Sequence, residues 1–228
     1  MTAFLEDPTL LFSLTLTAKT CWITLMLFAV VGPLLGFYLA RRPGWLSRIV
    51  SFVVTLPLVF PPVALGYLLL TVFGRTGWLG EALSPLGVSL IFNDSAVVLA
   101  GFVAGLPLVV RPLQAAFGNP RLIELEEAAR IHGAPETQIF LRVTLPLVRP
   151  SLAAALLLGC ARVSGEVGMT MMLGGNIAER TNTLSLEIFN AVSRADFDAA
   201  NTLCLILSLF AVLLFLTTEW LMRKSLRA

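Results

Sequence analysis

The sequence predicts an all-α protein that crosses a membrane several times, and three observations lead to this fold class. Of the 228 residues, 57% are hydrophobic and only 13% are charged, whereas soluble domains carry about 25% charged residues. The mean hydropathy is +0.87. The charges are clustered between long apolar runs, which favours several bilayer crossings over one large soluble core.

The first predicted span covers residues 10–40 and is interrupted in charge only by Lys19. At ~1.5 Å per residue it would reach about 46 Å, well beyond a hydrocarbon core of ~30 Å. We therefore expect it to tilt, to kink near Gly32 and Pro33, or to begin outside the bilayer.

Four further spans are predicted, over residues 49–73, 96–117, 146–173 and 203–221. The second span contains Pro57, Pro61 and Pro62, and the third contains Pro107 and Pro112. Prolines in a span are tolerated where helices pack on protein or line a water-filled path, although simple kinking is the alternative explanation. Residues 184–192 form an apolar stretch that is too short to span the bilayer by itself. It either dips into the membrane or belongs to a sixth crossing. One transmembrane domain over residues 1–228 is expected, because no linker divides the chain.

Basic residues predict the orientation. Arginines and lysines are concentrated after the first, third and fifth spans, which places these segments in the cytoplasm. The N-terminus, with Glu6 and Asp7, then lies outside the bacterial inner membrane and the C-terminus lies inside. The N-terminus also lacks the positive region of a cleavable signal peptide, so we expect the first apolar segment to remain as an anchor.

The cytoplasmic segment between spans three and four, residues 118–146, has the pattern of a docking element. Residues 121–131 predict a short amphipathic helix rich in good helix formers. Four of its apolar or small residues share one face: Leu122, Leu125, Ala128 and Ala129. Gly133 can supply the left-handed residue that ends this helix, and a second short helix begins near Pro135. The alanine pair would let the surface of another protein approach the backbone closely.

This segment resembles the EAA motif of ABC importer permeases. The matching residues are Glu127, Ala128, Ala129, Gly133, Val143, Leu145 and Pro146. The family usually has Ile where this chain has Val143. In that family the motif forms the coupling helix that sits in a cleft of the ATPase subunit. The resemblance therefore implies a type I ABC importer permease fold and an ATPase-coupling role for these residues; the alternative is an ordinary charged loop of a polytopic protein.

Further stretches look like the molybdate permease within that family. They are residues 56–67, 74–80, 165–168, 173–177 and 180–183. Val167 stands where molybdate permeases usually have Phe. The sequence of residues 166–177 is similar to that of tungstate permeases, and sulfate permeases have related motifs. The resemblance implies import of a tetrahedral oxyanion, with molybdate first and tungstate or sulfate as alternatives.

The resemblance also implies the partners and the mechanism. They are a second copy of the chain, two cytoplasmic ATPase subunits and an external, periplasmic oxyanion-binding protein, with the path opened by alternating access. The chain has no Gly-x-x-x-x-Gly-Lys-Ser/Thr phosphate loop, so ATP hydrolysis is expected on the partner, and this chain is predicted to be non-catalytic and to need no cofactor. No basic run suggests nucleic acid.

Two other classes of protein are weaker alternatives. A self-sufficient secondary transporter would favour repeated halves and several acidic residues at mid-membrane, and only Glu166 is a candidate. An intramembrane serine protease would need a Ser and a His within the spans, but His132, the single histidine, lies in the cytoplasmic segment.

Candidate path or gate residues lie in the second and fourth spans and in the loop that follows: Pro61, Pro62, Arg162, Glu166, Thr170 and Asn176. Arg162 and Glu166 lie four residues apart on one predicted helix face, and intramembrane charges usually face protein or water. They either line the path or form a neutralised pair that locks helix packing. Packing is the favoured interpretation for Arg162, whereas Glu166 fits a gate or a packing partner, because a free carboxylate would repel an anion. The three cysteines lack metal-ligand spacing, so no metal site is predicted.

Overall fold

The protein is described by a computed structural model, which covers residues 8–83, 85, 87 and 90–227, apart from the side chains of residues 83, 218 and 220–227. Its helices are α1 (Pro8–Arg41), α2 (Trp45–Val59), α3 (Pro62–Phe73), α4 (Trp78–Leu83), α5 (Asp94–Phe117), α6 (Pro120–Ile131), α7 (Glu136–Ile139), α8 (Leu145–Ser164), α9 (Gly168–Gly174), α10 (Leu184–Ser193) and α11 (Phe197–Arg227). A π-helical turn, Phe140–Thr144, joins α7 to α8. The acidic residues at positions 6 and 7, used above for the orientation, lie outside the described residues.

The described chain has five helical stretches long and apolar enough to cross a membrane. They are Pro8–Arg41, Pro62–Ala82, Asp94–Phe117, Glu136–Ser164 and Phe197–Thr217. The all-α class and the five crossings are therefore confirmed. The stretch considered for a sixth crossing forms α10, whose 10 residues reach only about 15 Å.

Two predicted spans are each divided between two helices. In the second predicted span, α2 ends at Val59, and Phe60 is extended with φ −78° and ψ 142°. Pro61 and Pro62 then start α3, because proline lacks the N–H that a helix interior needs but fits the first turn. The fourth predicted span is divided between α8 and α9. The first span, in contrast, forms one continuous helix through Pro33.

Helix α5 lies between α1, α8 and α9 and packs on them through small residues. A Cβ atom added to Gly105 would lie 2.6 Å from Cζ of Phe28, and one added to Gly159 would lie 2.6 Å from Cγ2 of Val109. Phe28 and Val109 are completely buried. Small residues of this kind let membrane helices approach closely, where packing replaces the hydrophobic effect as the driving force.

The two ends of α5 define two faces of the protein. At its beginning, the N–H of Phe92 donates to the carbonyl of Leu173, so α9 ends beside the start of α5. At its other end, after Phe117, the chain continues into α6, α7 and the π turn. Because α5 has 24 residues, these faces lie about 36 Å apart.

Candidate coupling and gate sites

The segment predicted to dock another protein begins with a capped helix. Asn119 Oδ1 accepts a hydrogen bond from the N–H of Arg121 at 3.0 Å, and Pro120 occupies the first turn of α6. The helix ends at Ile131, as expected, and Gly133 has φ +82°. The predicted left-handed glycine is therefore confirmed. Pro135 caps α7 rather than lying inside its first turn.

Polar contacts brace the junction around this glycine. Arg130 Nε lies 2.5 Å from Glu136 Oε1, which joins α6 to α7 across the turn. The N–H of Ala134 donates to the carbonyl of Ala129 at 3.1 Å. Hydrogen bonding to the Glu136 carboxylate raises the pKa of Arg130 above its ordinary value. The two short helices are thus held at a defined angle.

The face that was expected to be continuous on α6 is split. Leu122 is buried, together with Glu126, which lies one turn further along the same side. Leu125 and Ala128 are exposed instead, and so is Glu127. Ile131 is 84% exposed. Helix α6 therefore turns one side to its own protein and leaves the other side, with the apolar Leu125 and Ile131, exposed.

The buried side of α6 carries a carboxylate that the sequence analysis missed. Glu126 Oε2 accepts a hydrogen bond from Arg41 Nη2 at 2.8 Å, and Glu126 Oε1 accepts one from Thr144 Oγ1 at 2.6 Å. Only 5% of the Glu126 side chain is exposed. Arg41 ends α1, and Thr144 ends the π turn that leads into α8. One side chain therefore connects three elements. Its spacing of four residues from Leu122 was the signal that could have found it, because such residues share a helix face.

The far end of the EAA-like pattern faces the interior. Val143 and Leu145 are half-buried, and Val143 packs against a core cluster that includes Phe28, Val109 and Val148. Pro146, in contrast, is exposed. The pattern thus combines an outward-facing part, at Glu127 and Ala128, with an inward-facing anchor.

Pro61 and Pro62, two of the candidate gate residues, lie beside the break between α8 and α9. A Cβ atom added to Gly168, the first residue of α9, would lie 2.9 Å from Cβ of Pro62, the first residue of α3. One added to Gly66 would lie 2.9 Å from the Cα of Met169. Helices α3 and α9 therefore start side by side and run together, with no room for a side chain at either glycine.

Arg162 and Glu166 connect the end of α8 to the start of α9. Arg162 Nη2 lies 2.6 Å from Glu166 Oε2, and this contact is an ion pair without the alignment of a hydrogen bond. Glu166 Oε1 accepts a hydrogen bond from the N–H of Met169 at 2.8 Å. Glu166 is thus a buried, neutralised residue that also caps α9, which agrees with the packing interpretation of the pair.

The remaining candidate path residues are separated. Thr170 is buried in α9, one turn beyond the paired helix starts. Asn176 lies beyond the end of α9, and its side-chain amide exchanges hydrogen bonds of 2.7 and 3.2 Å with that of Asn190 in α10. The structure therefore brings Pro62, Arg162 and Glu166 to one region and places Asn176 elsewhere.

Arg111 is a second residue that the sequence analysis missed. It lies in α5, and its guanidinium donates to Gln114 Oε1 at 2.8 Å and to the carbonyl of Ser51 at 3.2 Å. It also donates to Thr55 Oγ1. These bonds attach α5 to α2 inside a predicted span, where an arginine is itself a signal worth following.

Within the described residues, no group of three His, Cys, Asp or Glu side chains could hold a metal ion. The features that stand out are the exposed side of α6, the Glu126 contacts and the paired starts of α3 and α9.

Comparisons with known proteins agree on the kind of molecule this is. Residues 32–227 match the model of a family described as "Binding-protein-dependent transport system inner membrane component". A molybdenum transport system permease protein, ModB, of Azotobacter vinelandii is 37% identical over 199 residues, which are 87% of this chain and 88% of that protein. The chloroplastic sulfate permease 2 of Chlamydomonas reinhardtii is 35% identical over 226 residues, covering 97% of this chain and 59% of that protein.

The fold also matches a solved transporter. A chain in the crystal structure of a bacterial alginate ABC transporter, in complex with an alginate-bound periplasmic protein, superposes with a TM-score of 0.77. The match covers 98% of this chain and 81% of that chain at 18% sequence identity. At that identity the similarity establishes the fold alone.

Proposed function

Because the chain belongs to the family of binding-protein-dependent transport system inner membrane components, we propose that it is the permease subunit of an ATP-driven importer for a tetrahedral oxyanion, with molybdate as the first candidate. The 37% identity to a molybdenum permease over most of both chains supports this substrate. A sulfate permease at 35% identity supports the same class of anion and makes sulfate the second candidate. Tungstate has the same shape and charge as molybdate and belongs in the same test.

The proposed assembly contains two copies of this chain, two ATPase subunits and an external binding protein, with the N-terminus outside and the C-terminus in the cytoplasm. ATP hydrolysis is assigned to the ATPase subunits, so this chain is a transport component and not an enzyme. Large apolar side chains of α2 support a further contact with protein or lipid, since Phe52 is 67% exposed and Val59 is 76% exposed. The family's description as binding-protein-dependent supports an external binding protein as a partner.

The observation that carries the proposed mechanism is the split surface of α6. We assign Glu127 and Ala128 to the ATPase contact because they are exposed beside the exposed Ile131. The opposite side of the same helix holds Arg41 and Thr144 through Glu126. A movement of α6 imposed by the ATPase would therefore reach α1 and α8 through a short, buried connection.

The same movement would reach the paired helix starts. Helix α8 begins at the π turn and ends at Ser164, and the Arg162–Glu166 ion pair joins it to α9. Helix α9 in turn packs on α3 through Gly66 and Gly168. We assign the gate to this region, where sliding of α9 against α3 would open or close a path, as expected for rocking of packed elements in alternating access.

Elemental mass spectrometry of cells tests the proposed function. Cells lacking the gene and cells complemented with it would be grown at limiting anion, and molybdenum, tungsten and sulfur would be measured. Loss of molybdenum accumulation that the gene restores is the expected result. Loss of sulfur alone would transfer the assignment to sulfate, and loss of tungsten alone would transfer it to tungstate. An unchanged content of all three elements would refute the oxyanion assignment.

A further inference from the structure

A cavity of about 540 Å³ lies at the face of the protein opposite α6, and two arginines from distant parts of the sequence line it. Arg75 follows α3, and Arg180 lies in the loop between α9 and α10. Thr76, Ile91, Phe92 and Asn93 complete the lining. Both arginines belong to stretches that resemble the molybdate permease, but no role was predicted for either residue. The fold brings them to one recess.

The frame of this cavity is well ordered by hydrogen bonds. Thr181 Oγ1 donates to the carbonyl of Gly174 at 2.8 Å and accepts from the N–H of Ile177 at 2.9 Å, which shapes the loop that carries Arg180. Asn93 Oδ1 accepts from the N–H of Ala96 at 3.1 Å and so caps α5 at the cavity wall. The two arginines therefore extend from a built frame.

The charge of the cavity is uncompensated within the described part of the chain. No acidic residue is among its described lining residues, and neither Arg75 nor Arg180 forms an ion pair with a described side chain. Of the acidic residues next to the described lining, Asp94 is occupied by Lys19 at 2.7 Å, and Glu179, which precedes Arg180, is exposed and lies outside the lining.

We propose that this cavity is a binding site for a free tetrahedral oxyanion on its way into the path, held by Arg75 and Arg180. The guanidinium group matches the geometry of an oxyanion with paired N–H donors, and it is more weakly hydrated than an ammonium group. A recess whose described lining contains two such groups and no carboxylate concentrates anions. The site lies at the ends of α3 and α9, the two helices that start together at the assigned gate. This inference rests on the proposed function for the identity of its ligand and for its outward position.

Anion binding to the reconstituted transporter without its binding protein tests the site. The permease and its ATPase would be placed in lipid nanodiscs, and molybdate, tungstate and sulfate would be titrated by calorimetry at constant ionic strength, with chloride as the comparison anion. We expect the wild-type complex to bind a tetrahedral anion and Arg75→Gln or Arg180→Gln to weaken binding by roughly tenfold or more, as loss of a charge-assisted hydrogen bond predicts. Arg194→Gln is the matched control, because this exposed arginine lies outside the cavity lining and faces Glu187 at 3.8 Å.

The proposal would be overturned if the wild-type complex bound no anion, or if both cavity variants bound the anion as well as the wild type. If unchanged anion binding were accompanied by weaker docking of the anion-free binding protein, the arginines would be a protein contact instead. Both side chains are exposed, and equal yields of reconstituted complex would show that the variants fold. The uptake experiment separates the two proposals. Normal uptake of the anion by cells, without anion binding to the complex in nanodiscs, would refute this site alone. Anion binding in nanodiscs without gene-dependent uptake by cells would refute the proposed function and leave the anion site standing.

Discussion

Arg41 Nη2 donates a hydrogen bond to Glu126 Oε2 across 2.8 Å, so the last turn of the first long helix is attached to the docking helix α6. Thr144 binds the other oxygen of the same carboxylate. A carboxylate that is almost completely buried and satisfied by two partners is a rigid connection, whereas exposed pairs contribute little. Glu126, on the side of α6 opposite the proposed ATPase contact, is therefore the residue through which a movement of α6 would reach α1 and α8.

We expect Glu126→Gln to reduce anion uptake strongly while ATP hydrolysis continues. The amide would remove the charge that neutralises Arg41, and losing one member of a buried ion pair costs about 3 kcal/mol. The free energy of unfolding should fall accordingly, and uptake per ATP hydrolysed should fall with it. Measurements of uptake and phosphate release in proteoliposomes would check both effects. Glu81→Gln, an exposed change in α4, should leave both values unchanged, and an equal loss in that control would contradict the role of Glu126.

Gly133→Ala should uncouple transport through its backbone alone. Gly133 has φ +82°, and a Cβ atom added there would meet nothing within 4 Å. The substitution therefore costs about 1–2 kcal/mol in conformational strain without a steric clash, and it should change the angle between α6 and α7. Gly133→Pro should have a larger effect. Uptake driven by ATP, normalised to the amount of inserted protein, is the measurement.

Gly44→Ala is the matched control for that experiment. A Cβ atom at Gly44 also meets nothing within 4 Å, but its φ of 174° is extended backbone that any residue adopts. We expect this variant to transport normally. If both alanine variants behaved alike, backbone conformation at Gly133 would not be the cause.

We expect Glu127→Lys to weaken the association of the ATPase and to leave membrane insertion intact. The side chain is exposed on α6, so its replacement changes the proposed docking surface without disturbing the core. Co-purification of the ATPase with the tagged permease would measure the effect. Undiminished ATPase recovery and undiminished uptake would together exclude Glu127 from the contact.

Gly66→Ala should damage the contact between α3 and α9. The added methyl group would lie 2.9 Å from the Cα of Met169, which is backbone and cannot rotate away. Overpacking of this kind costs roughly 1–3 kcal/mol, and it should also slow uptake if α9 slides against α3. Gly165→Ala is the control, since its new Cβ would lie 3.8 Å from the nearest atom, an ordinary contact. Thermal unfolding in detergent and uptake in cells would measure the two effects, and full activity of Gly66→Ala would contradict the assigned gate.

Glu166→Gln and Glu166→Leu should differ in stability. Glutamine keeps an oxygen that can accept from the N–H of Met169, whereas leucine removes this cap and leaves the N–H buried. The capping hydrogen bond alone predicts a difference of about 1 kcal/mol between the two variants. Thermal unfolding of both, and of each combined with Arg162→Met, would separate the cap from the ion pair. Equal unfolding temperatures for the two single variants would mean that the cap contributes nothing.

Apolar run length and loop charge were enough to predict five crossings, because the bilayer imposes a length on any helix that spans it. The end of α6 at Ile131 and the left-handed Gly133 were also predictable, since both depend on local conformational preference. Pro61 and Pro62 indicated the interruption within residues 49–73, whereas nothing in the sequence reading located the one within residues 146–173. The length of an apolar run shows how much of the chain prefers lipid or a protein core, but it does not show where the helix is interrupted.

The sequence by itself determined the class of protein, the number of spans and the segment with the family's docking pattern, all of which follow from local composition and spacing. Only the tertiary structure decided that Glu126 faces inward to Arg41, that α3 and α9 start together, and that Arg75 and Arg180 share one cavity. These relationships join residues far apart in the chain. Their physical origin is the close packing of helices, which places a side chain against partners that its own neighbours in sequence do not reveal.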